Sequence, residues 1–499
     1  MKRITTALLL VMAPLTVHAA DGGVRLSLKE AIQSAVQKNL DVRAELYNPA
    51  MAEADIRKNL GIYDTQLIVS TDFQYAVTEP VSSFLSGTNT SRTRTLTLNP
   101  GVNQLTPLGG TVGLTFNNAY NYTNSTRSPS EYWNSDLTLS LSQPLLKNFG
   151  KDPTELGIMV ARTAKDGSLE RFRTLLLDTV ARVRTEYNRL YSLREDLEVK
   201  KTSLELARKI LTDTQARVKA GVLPAMEILN AEFGVASREK DLIDAEKAVR
   251  DQNDVLHVLL QLPGKDEFIP VDIPTREPYE AEENALIRKA LDLRPELREQ
   301  KANLKTSELE TRVARNRTLP DLNLTASAAV TGLDRHYNRN LEKVGSADYP
   351  VWGVGLVFQY PLGNNAAENE YRRSKLKVEQ GRTQIRSLEA NVENEVKTAI
   401  RGVDSGYKQL DVTDRGRAFA EERLRSFIKR SEVGLATIKD VLEVESELAT
   451  AKSNQIKALT GYGDAVTQLL RATGELLDRE GITVTEKEGD SLYEQSARD

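Results

Sequence analysis

Leu176, Val183, Leu190, Leu197, Leu204, Leu211 and Val218 stand seven residues apart without a miss. An apolar residue at every seventh position holds one face of a slightly underwound helix against a partner. The run therefore predicts left-handed coiled-coil packing. At 1.5 Å per residue, a helix from about Lys165 to Ala220 would run about 80 Å. A compact domain cannot bury such a seam, so the chain needs partner helices along its length.

A second pattern supplies them. GVLPAMEILNAE from Gly221 aligns without a gap with GLATIKDVLEVE from Gly434. Glu227 falls on Asp440, Leu229 on Leu442 and Glu232 on Glu445. ALIRKALDLRPELREQ likewise matches AIQSAVQKNLDVRAEL, with Arg298 on Arg43, and VGLVFQYPL matches LTLSLSQPL, proline on proline. The chain reads as a tandem α-β-α duplication. Each copy has a short helix, strands, a long helix, a tight turn and a medium helix. The first copy spans 26–262, a Pro- and Glu-rich linker 263–283, and the second copy 284–478. The acidic tail 479–499 is expected to be disordered. Gly221 and Gly434 suit the left-handed position that ends a helix. Pro224 suits the first position of the next helix. Thr437 with Asp440 forms a capping box with Asp in place of the usual Glu or Gln.

Strand sequence lies at about 64–145 in the first copy and 320–361 in the second. Leu137, Leu139 and Leu141 alternate with Thr138, Ser140 and Ser142, giving one apolar and one polar face. The first copy reads as four strands, with TPLGG as a short turn, and the second as two. The opposite loops are long and polar, as in bacterial barrels. Tyr120, Tyr122, Tyr132 and Trp133 flank one of them, where an aromatic girdle would lie.

Composition removes other classes. The opening MKRITTALLLVMAPLTVHAA reads as a secretory signal over 1–19, so the mature chain acts outside the cytoplasm. Cysteine is absent, which excludes disulfides and cysteine-based sites. A net charge of −4 with interleaved signs argues against nucleic acid as a partner. Beyond the signal no apolar run can span a bilayer as a helix, so membrane entry requires a closed β-barrel. His257 and His336 have no ligand-spaced neighbours. GYGD at Gly461 interrupts a helical pattern with no strand before it. No enzyme, cofactor or metal site is expected.

Neither the long helices nor the strands of one chain close on themselves, and a symmetric homo-oligomer would close both. With its signal, duplicated α-β-α layout, LPDLNLTAS and QYPL strand edges and paired G-x-x-x-x-x-[DE]-[IV]-L turns, the chain resembles the TolC-like outer membrane factors over Leu28 to about Leu477. The resemblance implies an α+β membrane protein with a periplasmic α-barrel of coiled-coil helices. It also implies antiparallel strands closing a trimeric outer-membrane β-barrel in a Gram-negative bacterium. The function implied is an exit duct of a tripartite efflux pump or type I secretion system, set in outer-membrane lipid. Its partners would be two further copies of the chain, a periplasmic adaptor (membrane fusion protein) and an inner-membrane transporter. The alternative is a periplasmic coiled-coil adaptor or scaffold without its own pore, against which the duplication argues.

By the same resemblance the turns form the periplasmic tip, and Asp440, Glu443 and Glu227 constrict the pore there. Carboxylates in a first helical turn also favour the helix dipole whatever the function. That plain reading covers Asp440 and Glu227 but not Glu443. Ser431 and Ala436 stand where the family places an aromatic and a basic latch residue. Arg430 and Lys439 lie nearby.

Overall fold

The computed structural model describes residues 23–80, 82–126, 129–262, 264, 266–280 and 282–496. The expected signal at 1–19 lies outside them. In chain order the elements are β1 (Gly23–Leu26), α1 (Leu28–Lys38), α2 (Leu40–Leu60), β2 (Gln66–Thr78), α3 (Ser83–Ser86), β3 (Ser91–Leu105), β4 (Thr111–Thr123), β5 (Glu131–Pro144), α4 (Lys151–Thr154), α5 (Leu156–Lys219) and α6 (Met226–Leu260). There follow β6 (Glu267–Pro270), α7 (Glu283–Leu293), α8 (Pro295–Asn316), β7 (Asp321–Asp334), α9 (Tyr337–Ser346), β8 (Pro350–Gln359), α10 (Asn365–Glu432), α11 (Ile438–Thr473), α12 (Leu476–Arg479) and α13 (Glu486–Ser496). The chain gathers into two compact units.

One unit takes the described residues up to Leu46, Arg171–Leu297 and Leu388–Thr485. The seven-residue stripe of α5 supplies its core. Leu176, Val183, Leu190 and Leu204 are buried, and Leu197, Leu211 and Val218 are half-buried. Leu176, Val183 and Leu190 pack in one cluster with Leu256, Leu260, Val392, Val396, Tyr462 and Leu469. Burying such side chains is worth about 1.5–3 kcal/mol each. Asn39 and Arg294, equivalent in the two copies, both leave the helical conformation and break α1 from α2 and α7 from α8. Asn39 donates its amide to the Leu259 carbonyl at 3.0 Å, and Arg294 its guanidinium to the Ala472 carbonyl at 3.4 Å. Each thus satisfies a carbonyl that the end of a helix leaves open.

Two expectations in this unit need correction. The linker holds a strand, since β6 pairs in parallel with β1. Tyr187 fixes that crossing, its hydroxyl donating to the Leu26 carbonyl at 2.8 Å and accepting from Val271 N–H at 3.0 Å. Burial pushes the hydroxyl pKa up to about 12. GYGD does not interrupt a helix either: α11 runs through it. Gly463 has no side chain to clash, and a Cβ there would sit 3.2 Å from the Asn188 amide.

The other unit takes Tyr47–Glu170, Arg298–Ser387 and the described residues from Glu486. It holds a six-stranded antiparallel sheet in the order β2-β3-β4-β5-β7-β8. The β3–β4 hairpin of the first copy lies inside this sheet, between β2 and β5. Its TPLGG turn closes through Gly109 at φ +85° and a Thr106 N–H to Gly110 carbonyl bond of 2.7 Å. Pro100 has no N–H, and the register to β4 lapses around it. There the Asn99 side chain takes the Asn118 N–H at 3.1 Å.

The tail is also corrected, from disorder to order. α13 is helical because Gly489 lets it approach Pro49, where a Cβ would sit 3.1 Å from the proline Cβ. Lys165 then bridges Asp490 at 2.6 Å and Glu53 at 3.0 Å. These contacts come from residues far apart in sequence, so the tail's own polarity does not foretell them.

Candidate functional site

The sheet presents two chemically opposite faces. Strand alternation and the paired registers put Leu67, Val69 and Phe73 beside Val102, Pro100 and Leu96. The same face continues through Leu114, Leu139, Ala328 and Trp352. These side chains are bare: Phe73 is 64% exposed and Trp352 78%. The opposite face carries Thr95, Thr115, Asn117, Thr138, Ser140, Thr325 and Ser327. An apolar face this continuous has no stable home against water. The strands are 10 to 15 residues long, enough to cross a bilayer when tilted.

At one end of the apolar face aromatic rings cluster. Tyr120 and Trp133 lie 5.1 Å apart, Trp133 and Tyr337 4.8 Å. Arg94 stacks on Tyr75 and Tyr122, at 5.7 and 5.4 Å. Tyr132, expected with this group, faces the polar side opposite Asn121.

In the helical unit the two repeated turns share one geometry. Gly221 at φ +74° closes α5, its N–H on the Val218 carbonyl and that of Val222 on Arg217, both 2.9 Å. Gly434 at φ +76° closes α10 the same way, through Ser431 at 3.2 Å and, from Leu435, Arg430 at 2.8 Å. Both are paired-carbonyl glycine caps. The starts of the next helices differ. Thr437 accepts from Asp440 N–H at 3.2 Å while the Asp440 carboxylate accepts from Thr437 N–H at 2.8 Å. Those bonds from the Thr437 backbone and then its hydroxyl hold the Asp440 carboxyl below the usual carboxylate range. α6 has no side-chain cap: it begins at Met226, two residues beyond Pro224, and Glu227 is its second residue.

Behind the turns lies a buried polar tie. Glu445 is 3% exposed. Its Oε2 accepts from Arg238 Nη2 at 2.8 Å and Nε at 2.9 Å, and its Oε1 takes the Ser203 hydroxyl. Arg238 also donates to the Leu442 carbonyl at 3.1 Å. The tie joins α5 and α6 of the first copy to α11 of the second. Gly234 allows the approach, since a Cβ there would lie 2.6 Å from a Leu442 methyl. Nearer the tip, Arg217 donates to the Ser431 carbonyl at 3.2 Å.

Comparison with known sequences decides the class. The profile of the family described as "Outer membrane efflux protein" matches residues 108–260 and 286–475. The chain belongs to that family. It is 22% identical to outer membrane efflux protein BepC of Brucella suis over 362 residues, 71% of this chain and 75% of that protein. It is 24% identical to the pyoverdine export outer membrane protein OpmQ of Pseudomonas aeruginosa over 325 residues, 62% and 64% of the two chains. Its fold matches the CmeC outer membrane channel of Campylobacter jejuni, with a TM-score of 0.64, 15% identity and coverage of 94% and 89%. It matches CusC with a TM-score of 0.68, 15% identity and coverage of 92% and 95%. Membership of the family makes this chain an outer-membrane exit duct for efflux in a Gram-negative bacterium. The family is one of channels, not of enzymes.

Within an efflux duct the expected site residues fall as follows. Asp440 is half-buried and Glu443 exposed, and both lie on the side of α11 away from its buried Ile438–Val441–Glu445 stripe. Glu443 makes no hydrogen bond or ion pair among the described residues. Glu227 is half-buried and accepts weakly from the Asn230 amide at 3.4 Å. Arg430 stacks on Phe427 at 5.2 Å. His257 contacts the Asp266 and Leu262 carbonyls and stacks on Phe268 at 4.3 Å. His336 precedes α9, and its N–H donates to Asp334 at 3.0 Å.

Arg238, Ser203 and the role of Glu445 escaped the sequence reading. A signal for one of them was present. Glu445 falls on the apolar spacing set by Ile438, Val441, Leu442 and Leu448, and a carboxylate on a core stripe demands a partner.

Proposed function

We propose that three copies of this chain close one continuous barrel in the outer membrane, the duct through which an inner-membrane transporter and a periplasmic adaptor discharge substrate. The observation that carries this is the sheet: mostly apolar along one face and mostly polar on the other, with β2 and β8 left as unpaired edges. β2 and β8 run in opposite directions, so β8 of one copy can pair with β2 of the next. Repeated around a threefold axis this pairing leaves no edge. The apolar face then meets lipid and the hydroxyl- and amide-rich face lines the lumen.

Asp440 and Glu443 ring the periplasmic entrance on this reading, with Glu227 beside them. Support comes from the free carboxylate of Glu443 and from the ionised state in which Thr437 holds Asp440. Gly221, Pro224, Gly434 and Thr437 set the turns that carry them. Two carboxylates per chain, repeated three times at a constriction, favour cations. Planar-bilayer recordings on the purified protein should show cation selectivity and block by trivalent cations from the entrance side. Asp440→Ala with Glu443→Ala should weaken both. Thr437→Ala removes only the cap, costs about 1 kcal/mol of helix stability, and should leave selectivity alone. Unchanged reversal potential in the double variant would take these residues out of the pore.

A further inference from the structure

Over β4, β5 and β7 the apolar face of the sheet ends at a sharp chemical boundary. Asn118, Ser135 and Gly332 form one cross-strand row on that face. Asn118 and Ser135 are polar yet buried, because α9 lies over them. The Asn340 amide donates to Ser135 Oγ at 2.6 Å, and Ser135 donates to Asn118 Oδ1 at 2.5 Å. Gly332 makes room, since a Cβ there would lie 2.3 Å from the Asn340 carbonyl. Below this row the face is hydrocarbon-compatible. Above it come the aromatic rings and then two exposed arginines on the same face. Arg94 lies two residues, about 7 Å along the strand, beyond Leu96, and Arg92 two further on.

Arg92 and Arg94 have no ion pair among the described residues. The carboxylates around them include Asp334, neutralised by Lys343 at 2.9 Å, Glu131, which lies across Tyr122 from Arg94, Glu79 two residues past the Val77 that pairs with Arg92, and Glu342 on α9. Arg94 is held rather than free, because Tyr75 and Tyr122 stack on it. Fixed guanidinium groups just above an apolar band meet whatever charge the lipid headgroups carry. Planar guanidinium suits phosphate oxygens in particular. Helix α9, with exposed Tyr337 and Leu341, Arg339 in its first turn and Arg335 two residues before it, lies at the same level.

We infer that the rim built by Arg92, Arg94 and α9 binds the phosphate groups of a phosphorylated lipid in the outer leaflet and so fixes the depth of the barrel. The inference rests on the barrel reading above, and the test keeps the two apart. Purified full-length protein is reconstituted into phosphatidylcholine vesicles alone, with bis-phosphorylated lipid A, or with dephosphorylated lipid A. Insertion, retained lipid and thermal midpoint are then measured. Failure to insert into any vesicle would overturn the barrel reading and the inference with it. Insertion everywhere, with retention and a raised midpoint only for the bis-phosphorylated lipid, is the expected result. Arg92→Gln with Arg94→Gln should weaken that retention by about tenfold or more at low salt, whereas Arg92→Lys with Arg94→Lys should keep most of it. Asp72→Asn, on the polar face, should change nothing. Equal retention of the dephosphorylated lipid, full retention by the double glutamine variant, or the same midpoint shift from inorganic phosphate alone would each overturn the inference.

Discussion

Asp464 lies on α11 with its carboxylate largely out of water, accepting from the Asn188 amide at 2.9 Å near Glu186 and Arg184. Burial lifts its pKa to about 6. An unfolded aspartate titrates near ~3.9, so between these values the folded chain binds the proton more tightly. This residue therefore supports the fold most below about pH 4, and its contribution falls as the pH rises through 6. Asp464→Asn should raise stability at pH 7.5 by about 1–3 kcal/mol and change little at pH 4. Thermal melts at both values check this, and an equal gain at both would refute it. Glu445 is the opposite case, a buried carboxylate with its charge matched by Arg238. Glu445→Leu alone strands a guanidinium and should cost about 3–5 kcal/mol, whereas Glu445→Leu with Arg238→Met should cost less than either single change. Denaturant unfolding of the four proteins tests the coupling. A double variant as damaged as the sum of the two singles would show that the pair does not act as a unit.

At the scale of elements, α5 makes the strongest claim. Its seven-residue stripe is buried or half-buried at every position from Leu176 to Val218. Leu197→Asp puts a charge into that seam, at several kcal/mol if it stays unpaired. The expected outcome is loss of the assembled oligomer with secretion intact, read by crosslinking and by heat-modifiable gel migration. Normal oligomer yield would mean that a charge in the seam at Leu197 does not block assembly. The turns were also legible, because a glycine after a long amphipathic run admits few other conformations. The start of α6 was less so. Pro224 pointed to a helix beginning there, but the regular helix begins at Met226.

For the whole molecule the consequential element is the extra β3–β4 hairpin. It is inserted in the strand order between β2 and β5. On the proposed threefold barrel, three copies of six strands would make eighteen, and diameter grows with strand number. Deleting Thr93–Asn121 should therefore abolish membrane insertion of the oligomer, measured as loss of the heat-modifiable species from the outer-membrane fraction. Full insertion by the deleted protein would show that the hairpin is not part of the wall.

The sequence alone determined whatever follows from periodicity and from repetition: the seam of α5, the alternating strands, the paired glycine turns, the duplication and hence the family. Those features are local, and each residue carries its own share of the pattern. Only the tertiary structure decided how distant residues meet. Glu445 finds Arg238 and Ser203, Lys165 finds Asp490, Gly489 approaches Pro49, and α9 seals the polar notch at Ser135. A buried charge or a missing side chain marks a place where something must fit. What fits there is set by the fold that brings the other residue within about 3 Å, and no spacing along the chain encodes that distance.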